Sequence, residues 1–292
     1  MNYIIKNEYY EATISSLGAE LISLKNASGK ELMWQSPSKE IWSKHAPLLF
    51  PVAGRLKDGC YTYQGAKYFM GIHGFISKTE FSDVAFSESK IRLTTRANAE
   101  TLKVYPFNFE FSVEYSLTAD TLKAEVTVTN LDEKVMPYSF GWHPAFMLLP
   151  ENGIDIGSYS LFFGDGVESI SWMPLAGPNA HKILPDFKTP GGKYVFDEKQ
   201  IYEQDTMIFS DVPTSLRLSS KNGCVLDMSW SENTPYLCIW KWPTREANYI
   251  CLEPWSALPQ DGAVDECFDT RPMNRLLPSS SEIFYTTYKF TV

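Results

Sequence analysis

The chain runs to 292 residues, 44% of them hydrophobic and 14% aromatic, enough to enclose a large core and biased toward strands over helix bundles or disorder. A formal net charge of -9 would repel a phosphate backbone or an anionic membrane surface, so no nucleic-acid partner is expected. Cys60, Cys224, Cys238, Cys251 and Cys267 are scattered without a Cys-x-x-Cys pair, which argues against a disulfide framework and a thiolate zinc site. Together with the lack of a signal-like N-terminus or a membrane-length apolar run, this predicts a soluble cytoplasmic protein with reduced thiols.

In chain order, Asn26-Ala27-Ser28-Gly29 separates Leu21 to Leu24 from Leu32 to Trp34, and Gln64-Gly65 interrupts Cys60 to Met70, two hairpin signals. A short helical turn is expected around Asn98 to Leu102. Period-2 alternation is clearest at Phe107, Phe109, Phe111, Val113, Tyr115 and Leu117. It resumes after Ala119-Asp120 at Leu122, Ala124, Val126 and Val128, predicting a long hairpin with one buried face. The stretch from 164 to 200 carries Pro174, Pro178, Pro185, Pro190 and Gly191-Gly192 with little alternation and reads as an irregular excursion, a lobe or lid. Asn222-Gly223 joins two further strands, a second helical turn is expected within Asp265 to Leu277, and Phe284 to Val292 alternates again. The expectation is an all-β chain, a sandwich of large antiparallel sheets with few short helices, forming one domain over 1–292.

Two segments set a titratable side chain directly before a proline, Gly141-Trp142-His143-Pro144 and Cys251-Leu252-Glu253-Pro254-Trp255. A residue before proline is held extended, and proline cannot donate to a central ladder, so both side chains are expected at strand ends. His143 could give a proton and Glu253 take one; a hydrogen-bonded structural His and a solvated carboxylate are the plainer alternatives. Three more candidates lie beside apolar runs: Arg55 after Gly54, His73 between Gly71 and Gly74, and Asp205 before Thr206-Met207-Ile208-Phe209. Each could equally be a surface cation, a loop hydrogen-bonder or a cap. Trp240 and Trp242 could stack on a ligand ring, though large aromatics more often fill cores.

In this order, Arg55, His73-Gly74, His143-Pro144, Asp205 and Leu252-Glu253-Pro254 resemble the aldose 1-epimerase, or galactose mutarotase-like, family along the whole chain. Gly54 before the arginine and Phe75 after His73-Gly74 are closer to its LacX-like bacterial branch. The resemblance implies a wide twisted β-sandwich, no cofactor, no metal, and a small-molecule partner, a hexose or hexose phosphate. It also implies Glu253 as base and His143 as acid in hemiacetal opening, with Arg55, His73 and Asp205 binding the sugar. Acid action requires a protonated His143, which a neighbouring Glu253 would favour. Alternatives are a hexose-phosphate mutarotase, a non-catalytic carbohydrate-binding protein, and a glycoside hydrolase using Asp205 with Glu253.

Overall fold

The alternation resolves, in a computed structural model, into antiparallel strands that build two large sheets. The structure describes residues 1–38, 40–148, 155–175, 181–204, 206–244, 246–259 and 266–291. One nine-stranded sheet runs in the order Lys193–Val195, Tyr159–Phe162, Ser215–Ser220, Gly223–Trp230, Ser281–Phe290, Thr121–Asn130, Phe109–Thr118, Lys90–Arg96 and Asp83–Phe86. The other, eight-stranded, runs Leu184–Lys188, Ser169–Pro174, Thr206–Ser210, Tyr236–Trp240, Tyr249–Trp255, Gly141–Trp142 and Leu48–Leu49, with Ala145–Met147 also paired to Tyr249–Trp255.

The long hairpin forms as its pattern requires. Phe109, Phe111, Val113, Tyr115 and Leu117 are buried opposite Asn130, Val128, Val126, Ala124 and Leu122, and Ala119 turns the chain at φ 47°. Their apolar face shares one hydrophobic cluster with Met207, Phe209, Leu237, Ile239, Ile250 and Leu252 of the eight-stranded sheet. Each such side chain contributes about 1.5–3 kcal/mol on burial. Because strand side chains alternate between faces, the intervening Thr206, Ile208, Cys238, Trp240, Cys251, Glu253 and Trp255 must point away from this core. They form the floor on which the functional site stands.

Three local expectations are refined. Among the described residues of the 164–200 stretch, Ser169–Pro174 and Leu184–Lys188 extend one sheet and Lys193–Val195 the other. Pro174 ends a strand and Pro185 lies in an edge strand, where a missing N–H costs no ladder bond. The second helical turn is a single one, in which the Thr270 and Arg271 N–H groups both donate to the Cys267 carbonyl at 3.1 and 2.8 Å; it does not grow into a helix, and Asn274–Leu276 is a strand on Met136–Tyr138. Leu32 to Trp34 forms no strand, and Met33 makes a single isolated bridge to Phe146. There the Glu31 carboxylate accepts the N–H groups of Leu24, Leu32 and Met33, competing with the ladder. The first helix is present as Ala99–Val104, capped by Asn98 and Thr101, and Glu198–Gln204 is a helix that the pattern did not reveal.

Candidate active site

The centre of the site follows from strand register. Gly141 pairs with Trp255, and Ala145 pairs with Cys251. The same number of residues separates these pairs on both strands, so counting inward from either brings His143 opposite Glu253. His143 lies in the break between Gly141–Trp142 and Ala145–Met147, as its proline predicts. Glu253 does not lie at a strand end; it is inside Tyr249–Trp255. Pro254 is tolerated there because its missing donor faces that break. The Leu252 N–H reaches the Pro144 carbonyl at 3.4 Å, the Ser256 N–H reaches that of Phe140 at 2.8 Å, and Pro254 falls between them.

His143 Nε2 stands 3.4 Å from Glu253 Oε1, and the Trp255 Nε1–H donates to Glu253 Oε2 at 3.2 Å. Both side chains are buried, and His143 Nδ1 and Glu253 Oε1 have no hydrogen-bond partner among the described residues. Burial pushes the Glu253 carboxyl well above its ordinary range. Burial, with His73 nearby, pushes the His143 imidazole well below its own. The expectation that Glu253 favours a protonated His143 is not what burial alone gives: desolvation disfavours the charged form of both side chains and so opposes the imidazolium.

His73 is brought beside the pair, with its ring centroid 5.4 Å from that of His143 at 89°. Gly54 and Gly74 take positive φ values of 83° and 72°, and a Cβ on Gly54 would stand 2.4 Å from Pro259 Cβ. The third left-handed residue is His73 itself, at φ 62°, rather than Gly71. Two reciprocal bonds lock it: the His73 N–H donates to Gly54 O at 2.8 Å, and the Gly54 N–H donates to His73 Nδ1 at 3.1 Å. Burial and the Arg55 guanidinium lower the His73 pKa to about 4, which fits a ring nitrogen already occupied as an acceptor. Arg55 is exposed and lines the mouth of the same pocket. Asp205 lies outside the described residues.

The pocket has a volume of about 370 Å³ and is also lined by Ile72, Leu175, His181, Thr206, Cys238, Trp240, Trp255 and Pro259. Trp240 meets His143 edge-on, with centroids 5.5 Å apart at 74°. Trp242 packs on Trp240 and is not part of the lining. Trp42, which no local pattern marked, stacks on His143 at 5.0 Å and 26°. It is held there by the Trp34 Nε1–H on its carbonyl at 2.8 Å. The alternation of 206–210 and 236–240 could have exposed Thr206 and Cys238 as one face, but nothing local marked His181. Ligand atoms of His143, Cys251 and Glu253 lie within 4.8 Å of one another, a nitrogen, sulfur and oxygen set suited to a borderline-soft divalent ion.

These features sit in a recognisable sequence background: the aldose 1-epimerase family model matches residues 1–266. The chain belongs to the aldose 1-epimerase family. The plasmid-encoded protein LacX of Lactococcus lactis subsp. lactis is 33% identical over 294 residues, covering 95% of each chain. A galactose mutarotase related enzyme from Lactobacillus acidophilus superposes with a TM-score of 0.91 at 28% identity, covering 100% of this chain and 98% of that one. A galactose mutarotase-like protein from Lactobacillus casei gives 0.87 at 28% identity over 100% of both. The fold is galactose mutarotase-like, as the motif order implied. Membership of the aldose 1-epimerase family implies an epimerase-type enzyme with a sugar substrate. No helix among its described residues is long and apolar enough to cross a membrane.

Proposed function

We propose that the protein interconverts the α and β anomers of a hexose by general acid–base ring opening. Glu253 takes the C1 hydroxyl proton while His143 gives one to the ring oxygen; after rotation about C1–C2 the two exchange roles as the ring closes. The observation that carries this reading is the buried imidazole facing a buried carboxyl at 3.4 Å in one pocket. The neutral pair favoured by burial and the working imidazolium–carboxylate pair hold the same single proton. Bound sugar hydroxyls need only stabilise its transfer from Glu253 to His143. Since His73 Nδ1 accepts the Gly54 N–H, a neutral His73 carries its proton on Nε2, available to a sugar oxygen. Arg55 and Asp205 would orient hydroxyls, and the Trp240 face offers a stacking surface.

The charge of the lining favours an unphosphorylated hexose. Arg55 is the one arginine of the lining among the described residues, whereas Arg92, Arg96, Arg217 and Arg271 engage Ser112, Glu110, Asp227 and Glu266. Phosphate recognition calls on several such donors. Polarimetry or NMR exchange on freshly dissolved glucose, galactose and glucose 6-phosphate tests the reading. His143→Asn and Glu253→Gln should each lower the rate about 100- to 10,000-fold while sugar binding persists. Unchanged rates in both variants would leave a carbohydrate-binding protein, and preference for the phosphorylated sugar would overturn the substrate choice.

A further inference from the structure

Among the 4 histidines of the chain, three line one pocket: His73, His143 and His181. Two have places in the proposed reaction and His181 has none. It comes from the segment that appeared irregular in sequence, and it is tied to the sheet by its N–H, which donates to the Pro174 carbonyl at 2.8 Å. Its φ of 62° is a left-handed conformation uncommon for a non-glycine residue, so the fold holds this imidazole at a backbone geometry that must be stabilised by its surroundings. Its Nδ1 is buried and has no hydrogen-bond partner among the described residues. A ring nitrogen that the fold leaves without a protein partner, on a residue in the wall of a pocket, is a place where a ligand polar atom gains a bond.

Its position in the sheet says which part of a ligand it meets. Pro174 ends the strand that neighbours Thr206–Ser210, which neighbours Tyr236–Trp240, which neighbours Tyr249–Trp255. At about 4.8 Å per strand, the strand whose end anchors His181 is roughly 14 Å from the strand of Glu253. Cys238, Trp240 and Thr206 form the floor between them. A pyranose with its anomeric carbon at His143 and Glu253 therefore directs its remote substituents toward His181 and Leu175.

We propose that His181 is a specificity-determining residue whose imidazole hydrogen-bonds a hydroxyl on the side of the sugar remote from C1, at C4 or C6. This rests on the mutarotase reading above and adds to it a recognition element supplied by the 164–200 segment. It makes the site select sugars that carry that hydroxyl, while the acid–base pair at the other wall handles the hemiacetal.

The test pairs a change in the protein with a change in the sugar. Mutarotation rates are measured for D-glucose and its 2-deoxy, 4-deoxy and 6-deoxy forms with wild type, His181→Ala and His181→Asn. His181→Ala should lose about tenfold in kcat/KM on glucose and on 2-deoxyglucose, the effect of one hydrogen bond. It should lose nothing further on whichever of the 4-deoxy or 6-deoxy sugars lacks the partner hydroxyl. His181→Asn tolerates the left-handed backbone and places an amide near the Nδ1 position, so it should recover most of the loss and also serve if the alanine variant folds poorly. Equal losses on all four sugars, or no loss on any, would overturn the proposal. If wild type accelerates none of them, the reaction assignment fails instead. The same sugar series titrated by quenching of tryptophan fluorescence then tests His181 through binding alone, with the same pattern of losses expected.

Discussion

Lowering the pH from 7 to 4 should destabilise the folded protein through His73 more than through an ordinary histidine. Free imidazole titrates at 6.5, whereas burial and Arg55 lower His73 to about 4. Between those values the unfolded chain binds a proton that the folded chain refuses, so stability falls as pH falls through this window and is fully present above it. At about 1.4 kcal/mol per pH unit the gap amounts to roughly 3 kcal/mol, and solvent reaching a partly buried ring reduces this to about 2–3 kcal/mol. The geometric cause is specific: protonating Nδ1 abolishes the bond that it accepts from the Gly54 N–H. His73→Asn keeps a side chain that tolerates positive φ and removes the titration. Urea unfolding at both pH values should show wild type losing about 2–3 kcal/mol more than the variant. Equal losses, to within about 0.5 kcal/mol, would refute the account of His73 as a ring held neutral by its role as acceptor.

The catalytic pH profile should be flat across the ordinary histidine range. Burial lowers His143 and raises Glu253, so the one-proton pair persists both below 6.5 and above 4.5, and blank-corrected rates should stay within about twofold from pH 5.5 to 7.5; an acid limb centred near 6.5 would contradict this. Gly141→Ala places a Cβ 2.6 Å from Trp255 Cδ1. Displacing the indole that donates to Glu253 should cost about 1–3 kcal/mol of stability by thermal unfolding and lower kcat at least about tenfold. Micromolar Zn²⁺ should inhibit reversibly by engaging His143, Cys251 and Glu253; chelation restores the rate, and Cys251→Ser should weaken inhibition about tenfold without abolishing turnover, as read by a zinc titration of the rate.

Alternation made the sheets legible because one face of each strand belongs to a common core; Phe109 to Leu117 and Leu122 to Val128 announce themselves for that reason. The proline motifs located His143 and Glu253, yet misplaced Glu253 at a strand end, since only the pairing shows that Pro254 faces a gap. His73 beside Gly74 was found, but not that His73 takes a left-handed conformation itself. Trp42 and His181 were invisible: each reaches the site through contacts distant in sequence, Trp42 through Trp34 and His181 through Pro174. Desolvation, which lowers His143 and raises Glu253, is likewise a property of the packed state and leaves no trace in residue order.

The facing of His143 and Glu253 is a matter of counting along two paired strands, whereas Arg55, His73 and His181 arrive on connecting segments. On the proposed assignment, reaction and recognition are thus written into different parts of the molecule. Rebuilding a loop can change which sugar is held without disturbing the proton pair, while inserting a single residue between Gly141 and Ala145 would turn His143 toward the core and silence the site for every sugar. A laboratory seeking a new substrate should randomise the rim and leave the spacing of the two motifs untouched.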